Sequence, residues 1–263
     1  MKRSITTILL LSLLLVLLAL PLQAEQRPAD SYVTVSIAVN GELVMVEETI
    51  DVYDKDMDGT ITLDDVLMRA HLLFCPTHDK GYATAKTDYG TSLVKLWGDE
   101  SGAFGYYVNN ESALSLDAAV QSGDRVYAFV YKDQIAYSDS FSYFNVTQKS
   151  FEDRGTLILT LQNSTFDENW ELVTAPTVGA YITINGEKTE VKTDEQGKAK
   201  LSFLSPGKYV VSAVSDEATL VPPVCIVTVT KAPMNPLIIV ILIVAVVGVA
   251  AGAITNAIKK KRA

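Results

Sequence analysis

The residues with the clearest chemistry lie between Asp54 and Asp65, in the run DKDMDGTITLDD. Aspartates occupy its first, third and fifth positions, and a glycine occupies its sixth. Alternate residues of a tight loop point inward, so these carboxylates can supply oxygen ligands to one hard cation. Calcium takes about six to eight oxygen ligands, and this spacing is that of a twelve-residue calcium loop. The predicted calcium ligands are Asp54, Asp56, Asp58, Thr60, Thr62 and Asp65.

The loop is similar to an EF-hand loop, and it also resembles the loop of dockerin modules, which often carry aspartate at position twelve. Here that residue is Asp65, one methylene shorter than the usual bidentate glutamate, so the resemblance implies a weaker site. Extracellular calcium modules work at roughly 10⁻⁴–10⁻³ M. The alternative is a polar turn ending in a helix cap, because Thr62 and Asp65 have capping-box spacing. Both interpretations can hold together, and three alternate acids favour calcium.

Two further groups of residues could bind a metal or form a covalent bond. His71, Cys75 and His78 lie close together in sequence and could share a transition metal, or they could be a helix end with a capping histidine and a buried thiol. Cys75 and Cys225 could form a disulfide in an exported chain, and two buried reduced thiols are the alternative. No GxSxG, HExxH or P-loop occurs, so we predict that the chain is not an enzyme.

The elements around the loop follow from hydrophobic periodicity. Tyr32–Val39 and Leu43–Val52 alternate as two strands, and Asn40-Gly41 between them predicts a hairpin turn. Leu63–Phe74 is predicted to be a helix, so the loop joins a strand to a helix. The predicted buried stripe of this helix is Leu63, Val66, Leu67, Ala70, Leu73 and Phe74.

Further strands are predicted at Phe104–Asn110, Arg125–Tyr131 and Ile135–Phe144, which closes a first domain at 31–144. Hairpin, helix and further strands is a β-grasp order. The YYVNN and SGDRVYAFV segments resemble a bacterial surface domain of unknown function related to the transcobalamin C-terminal domain. This resemblance implies a β-grasp fold and ligand binding. The dense aromatic residues of these strands could pack in the core or line a surface for a glycan or a tetrapyrrole.

A linker at 145–154 is predicted to lead into short strands over 155–231, typical of a small β-sandwich. The segments TDEQGKA, which starts at Thr193, and PGKYVVSA, which starts at Pro206, resemble prealbumin-like or Ig-like modules of bacterial surface proteins. Such modules act as spacers or adhesion domains.

The two ends of the chain predict export and anchoring. Met1–Ala24 has the positive start and leucine-rich run of a signal peptide, with an uncleaved N-terminal anchor as the alternative. An apolar run predicts a transmembrane helix at 236–258, and the basic residues of 259–263 should stay in the cytoplasm. Gly248 and Gly252 form a GxxxG pair, which allows helix dimerisation but is also common in such helices.

The net charge of −9 conceals an asymmetry. The exported portion carries 16 basic and 31 acidic residues, a net charge of −15. An exterior this acidic disfavours nucleic acid and anionic membrane surfaces as partners. It suits cations and cationic partners, or it serves solubility alone.

The sequence therefore predicts an α+β domain followed by an all-β domain: a β-grasp domain with an inserted calcium loop, a small β-sandwich and a C-terminal transmembrane helix. We expect a single-pass cell-membrane protein with the bulk of the chain outside the cell. The predicted cofactor is Ca²⁺, and the predicted function is adhesion or protein interaction at the cell surface. The alternative is capture of a small ligand, a corrinoid or a glycan, by the β-grasp domain.

Overall fold

The computed structural model describes residues 28–166 and 171–232. The signal peptide at 1–24, the membrane span at 236–258 and the basic tail at 259–263 lie outside these residues and stay predictions. Within the described ranges, no helix is long and apolar enough to cross a membrane.

The described chain is mostly β-sheet. In chain order the strands are β1 (Ser31–Val39), β2 (Glu42–Val52), β3 (Ala83–Thr87), β4 (Gly90–Lys95), β5 (Phe104–Val108), β6 (Glu111–Ser112), β7 (Arg125–Val130), β8 (Ser140–Phe144), β9 (Gln148–Glu152), β10 (Gly155–Phe166), β11 (Leu172–Pro176), β12 (Tyr181–Ile184), β13 (Glu187–Lys192), β14 (Lys198–Phe203), β15 (Gly207–Val214), β16 (Leu220–Val221) and β17 (Cys225–Thr230). The helix α1 spans Leu63–Phe74, and a short 3-10 helix follows at His78–Gly81.

The first sheet has the strand order β2-β1-β7-β5-β6. β1 and β2 are antiparallel, and the turn between them has φ values of 52° at Asn40 and 84° at Gly41. Positive φ at both positions is what a type I′ two-residue turn requires, and the pairing of Val39 with Glu42 confirms the predicted hairpin. β1 also pairs in parallel with β7, and β7 pairs antiparallel with β5. β3 and β4 form a separate two-stranded sheet.

Helix α1 covers one face of this first sheet. Its bounds match the prediction, and Leu63, Leu67 and Ala70 are fully buried against the sheet residues. The predicted stripe is wrong at its end, because Leu73 is 42% exposed and Phe74 is 44% exposed. His71 takes the buried position in the last turn instead, where its ring is held by hydrogen bonds.

The second group of strands forms a β-sandwich. One sheet has the order β11-β10-β8-β16, with β14 also paired to β10, and the facing sheet has the order β13-β12-β15-β17-β9. Leu159 and Leu161 of one sheet pack with Ile182, Val211 and Val227 of the other, and all five are fully buried. The all-β character predicted for this part of the chain is confirmed.

We call residues 28–132 the first unit, and residues 140–166 with 171–232 the second unit. The predicted domain bounds differ from the strand pairing at two places. β8 pairs with β10 and β16 of the second unit instead of closing the first sheet, because Phe144 fills the sandwich core. The predicted linker 145–154 contains β9, which pairs in parallel with β17.

Candidate calcium site

The candidate site is the loop between β2 and α1, and its first aspartate shapes it. Asp54 accepts hydrogen bonds from the backbone N–H of Met57 (2.7 Å) and of Gly59 (2.8 Å), one on each carboxylate oxygen. Gly59 has φ of +91°, a conformation that glycine reaches without strain. Asp58 in turn accepts from the N–H of Thr60 at 2.8 Å. The loop is therefore folded around its own carboxylates.

Three of the predicted ligands converge. Asp54, Asp56 and Asp58 each bring a carboxylate oxygen into a group in which all oxygens lie within 4.8 Å of one another. Asp54 is buried, whereas Asp56 and Asp58 are exposed. Carboxylates this close repel one another unless a proton or a cation lies between them. This arrangement can hold a hard cation through oxygen ligands.

The protonation of the group reflects this crowding. The hydrogen bond from the Gly59 N–H lowers the pKa of Asp54 below its usual range. The hydrogen bond that Asp56 shares with Asp54 raises the pKa of Asp56. The two shifts run in opposite directions because Asp54 and Asp56 share one hydrogen bond.

Thr62 and Asp65 form the helix cap. Asp65 Oδ2 accepts from the Thr62 N–H (2.9 Å) and from its hydroxyl (2.7 Å), and the Asp65 N–H donates to Thr62 Oγ1 (3.4 Å). Asp65 is 3% exposed, and its Oδ1 has no hydrogen-bond partner among the described residues. The capping box predicted as the alternative is present, and the three alternating aspartates lie beside it.

Several residues that the sequence analysis missed brace the loop. Asp30 accepts from the N–H of Asp54 at 3.0 Å, which ties the start of β1 to the first loop position. Lys55 forms an ion pair with Asp64, and the Tyr82 hydroxyl donates to Asp64 at 2.6 Å. Burial raises the pKa of the Tyr82 hydroxyl far above its usual range. Local sequence patterns carry no signal for Asp30 or Tyr82, because both are brought in by tertiary contacts.

The histidine and cysteine constellation is not a metal site. His71 Nδ1 lies 2.6 Å from the carbonyl oxygen of Leu67, and His71 Nε2 accepts from the N–H of Trp97 at 2.9 Å, so both ring nitrogens are occupied. Burial lowers the pKa of His71 to about 4, which keeps the ring neutral. His78 Nδ1 lies 3.0 Å from the carbonyl oxygen of Leu72.

For the two cysteines the structure favours the alternative of two buried reduced thiols over the disulfide. Cys75 and Cys225 are both free and buried. Cys75 caps α1 in the first unit, whereas Cys225 belongs to the sandwich core of the second unit. Burial raises the pKa of the Cys225 thiol to about 11.

The aromatic face of the first sheet is covered. Tyr107, Phe129 and the half-buried Tyr127 lie on the face opposite α1, where they pack against Phe141 and Val221 of the second unit. The surface considered for glycan or tetrapyrrole binding is therefore an internal contact between the two units.

No protein-family model matches the chain, and no curated protein sequence matches it. Several solved structures show a weak likeness. The D0-D1 domain of intimin is 16% identical, with 56% of this chain and 76% of that chain covered and a TM-score of 0.25. The N-terminal Ig1-2 module of the Drosophila receptor protein tyrosine phosphatase DLAR is 13% identical, with 58% and 76% covered and a TM-score of 0.23. The N-terminal four Ig domains of Dscam1 isoform 4.4 are 8% identical, with 80% and 46% covered and a TM-score of 0.21. Scores of this size do not establish a shared fold, so these likenesses carry no argument about function.

Proposed function

We propose that this chain is a single-pass cell-surface protein that binds one structural calcium ion and acts in adhesion or protein interaction outside the cell. The observation that carries the calcium site is the convergence of oxygens from Asp54, Asp56 and Asp58 within 4.8 Å of one another. Thr60, Thr62 and Asp65 complete the proposed ligand set by their positions in the loop.

The role of the ion is to rigidify the junction between β2 and α1. It neutralises three crowded carboxylates and so removes the repulsion among them. Because the ion binds only the folded loop, it stabilises the fold by mass action. At a calcium concentration 100 times the Kd, the gain in the free energy of unfolding is about 2.7 kcal/mol.

We further propose that the first unit is a β-grasp domain of the surface family related to transcobalamin C-terminal domains. The support for this assignment is a hairpin, then a helix, then three more strands of the same sheet, with β1 paired in parallel with the central strand β7. The second unit is proposed to be an Ig-like or prealbumin-like module. Its support is the sandwich arrangement and the TDEQGKA turn, which lies between β13 and β14.

Adhesion or protein interaction is favoured over capture of a small ligand. Capture was proposed for the aromatic face of the first sheet, and there Tyr107 and Phe129 are nearly fully buried against the second unit. The acidic exported portion, with a net charge of −15, favours a partner that is cationic or that is bridged by calcium.

The test is a calcium titration of the full chain in detergent micelles by calorimetry, with thermal melts in parallel. The test variant is Asp56→Asn with Asp58→Asn, because these exposed side chains can lose charge while Asp54 continues to shape the loop. The control is Asp88→Asn, an exposed carboxylate in the turn between β3 and β4.

We expect saturable binding at one site and a higher melting temperature in calcium for the wild type and for Asp88→Asn, with both effects lost in the double variant. Absence of heat and of any thermal shift at millimolar calcium would leave the loop as a capped turn and would reject the proposed site.

A further inference from the structure

We infer that the two units behave as one rigid and cooperative body, joined by the aromatic face of the first sheet. The expected response to calcium rests on the proposed function, whereas the cooperative unfolding of the two units does not depend on it. We call the contact formed by Ala38, Tyr107, Phe129, Phe141 and Val221 the joint.

Ring stacking is the centre of the joint. The rings of Tyr107 and Phe141 lie 3.7 Å apart between centroids at an interplanar angle of 9°. Phe129 adds a second ring of the first unit, 6.3 Å from Phe141 and nearly parallel to it. Exposed fractions of 1% for Phe129 and 2% for Phe141 mean that neither ring is accessible while the units are in contact. Separation of the units would return these apolar surfaces to water.

A partly buried hydrogen bond fixes the orientation of the two units. The Tyr127 hydroxyl of the first unit donates to the carbonyl oxygen of Pro222 in the second unit at 2.5 Å. Burial raises the pKa of Tyr127 well above its usual range, so it remains a donor. Ser142 donates from its hydroxyl to the carbonyl oxygen of Val221 at 2.7 Å, which holds β8 to β16 behind the joint. A stack alone would allow sliding, whereas this directional bond does not.

The connection between the units is also ordered. Asp139 accepts from the backbone N–H groups of Lys132 (2.6 Å) and Asp133 (3.0 Å), which closes the connection into a compact turn. Gln134 donates to the side chain of Asn40 at 3.2 Å, so this turn is held against the β1–β2 hairpin. Such a connection lacks the freedom of a flexible linker.

The joint leaves the candidate calcium loop clear of the second unit. The turn at Gly41 shares a cavity with Lys132 and with residues from Val214 to Leu220 of the second unit. The calcium loop lies at the other end of the same hairpin, where Val52 pairs with Ser31. The eleven residues of β2 separate these ends by roughly 35 Å. A partner can therefore reach the loop without disturbing the joint.

The test is differential scanning calorimetry of the full chain in detergent micelles, in EDTA and in calcium, with hydrogen exchange followed by mass spectrometry. We expect one unfolding transition in EDTA, and we expect β2 and β17 to exchange with the same global opening. Calcium should then slow exchange in β17, which carries no proposed calcium ligand, as much as in β2. Two transitions of the wild type in EDTA would overturn the inference, whatever calcium does.

The test variant is Phe141→Ala, which removes the ring that stacks on Tyr107. It should split the unfolding into two transitions, of which calcium shifts only one. The matched control is Phe203→Ala, which removes a ring 3% exposed in the sandwich core of the second unit. It should lower the transition temperature and keep one transition. A single transition in Phe141→Ala would also overturn the inference. If the wild type unfolds in one transition but calcium has no effect on it, the calcium site is rejected and the cooperative body is retained.

Discussion

The Nε2 atom of His71 accepts a hydrogen bond from the backbone N–H of Trp97 at 2.9 Å, while its Nδ1 lies 2.6 Å from the carbonyl oxygen of Leu67. This geometry admits one neutral tautomer, in which Nδ1 carries the proton and Nε2 is the acceptor. The side chain that the sequence offered as a metal ligand therefore joins α1 to the turn that follows β4.

Acid should weaken the first unit through this histidine. Burial lowers the pKa of His71 from about 6.5 to about 4, so the unfolded chain takes the proton first as the pH falls. The contribution of neutral His71 to the free energy of unfolding is fully present above about pH 6.5 and declines between pH 6.5 and 4. Below that range, about 3 kcal/mol of stability has been lost. Urea denaturation as a function of pH measures the decline.

The control for this prediction is His71→Gln, whose side-chain oxygen can still accept from the Trp97 N–H but does not titrate. Carboxylates titrate equally in both proteins, so the difference between the two curves isolates the histidine. Parallel curves from pH 7 to 4 would contradict the prediction.

The helix cap and the proposed calcium ligand can be separated at two neighbouring positions. Thr62→Ala should cost about 1 kcal/mol of stability in EDTA, because the Asp65 N–H loses its acceptor and Asp65 Oδ2 loses one of its two donors. Asp65→Ala should cost a similar amount in EDTA and more in calcium, since Asp65 is also a proposed ligand. Thermal melts of both variants in the two buffers measure this. Equal losses for Asp65→Ala in EDTA and in calcium would limit Asp65 to the cap.

A methyl group at Gly105 should disturb the joint. A Cβ built there would lie 2.3 Å from the ring of Phe129, so the ring must shift. We expect Gly105→Ala to lower the free energy of unfolding by about 1–3 kcal/mol. The control is Gly207→Ala, where the nearest atoms lie at an ordinary contact distance of 3.4 Å. Chemical denaturation of both variants checks the difference, and equal stabilities would show that the ring moves freely.

The thiols of Cys75 and Cys225 should be unreactive in the folded chain. Cys75 and Cys225 are free and buried, and burial raises the pKa of Cys225 to about 11. A thiol reagent should therefore label neither residue rapidly in the native protein and both in denaturant. Fast labelling of the native chain, or a disulfide found by mass spectrometry, would contradict this arrangement.

Local signals in the sequence predicted the local structure around the candidate site. The hairpin turn at Asn40-Gly41 and the bounds of α1 follow from turn chemistry and periodicity. The capping pair Thr62 and Asp65 was visible from its spacing. Each of these features depends on residues within one turn or one helix, which is the range at which such patterns are informative.

Features that depend on pairing between segments far apart in the chain could not be predicted from the sequence. The alternation of β8 is equally compatible with either unit, and only the packing of Phe144 in the sandwich assigns it. The sequence leaves the aromatic residues of the first sheet as either core or a ligand surface, and Tyr107 and Phe129 lie in a buried cluster. That this face meets Phe141 could not be inferred, because no local pattern encodes a contact between units. The pairing of β9 with β17 is parallel and spans most of the second unit.

This parallel pairing determines how the molecule would carry tension. The chain reaches β9 from the first unit through β8, and β17 is the last described strand before the chain continues beyond residue 232. A pull between the first unit and the C-terminal end draws the two strands in opposite directions along their length. Their hydrogen bonds, spaced evenly from Gln148 to Glu152, are then loaded together in shear instead of being peeled apart one by one. The segment predicted as the linker 145–154 thus contains a strand that is placed to resist tension in shear.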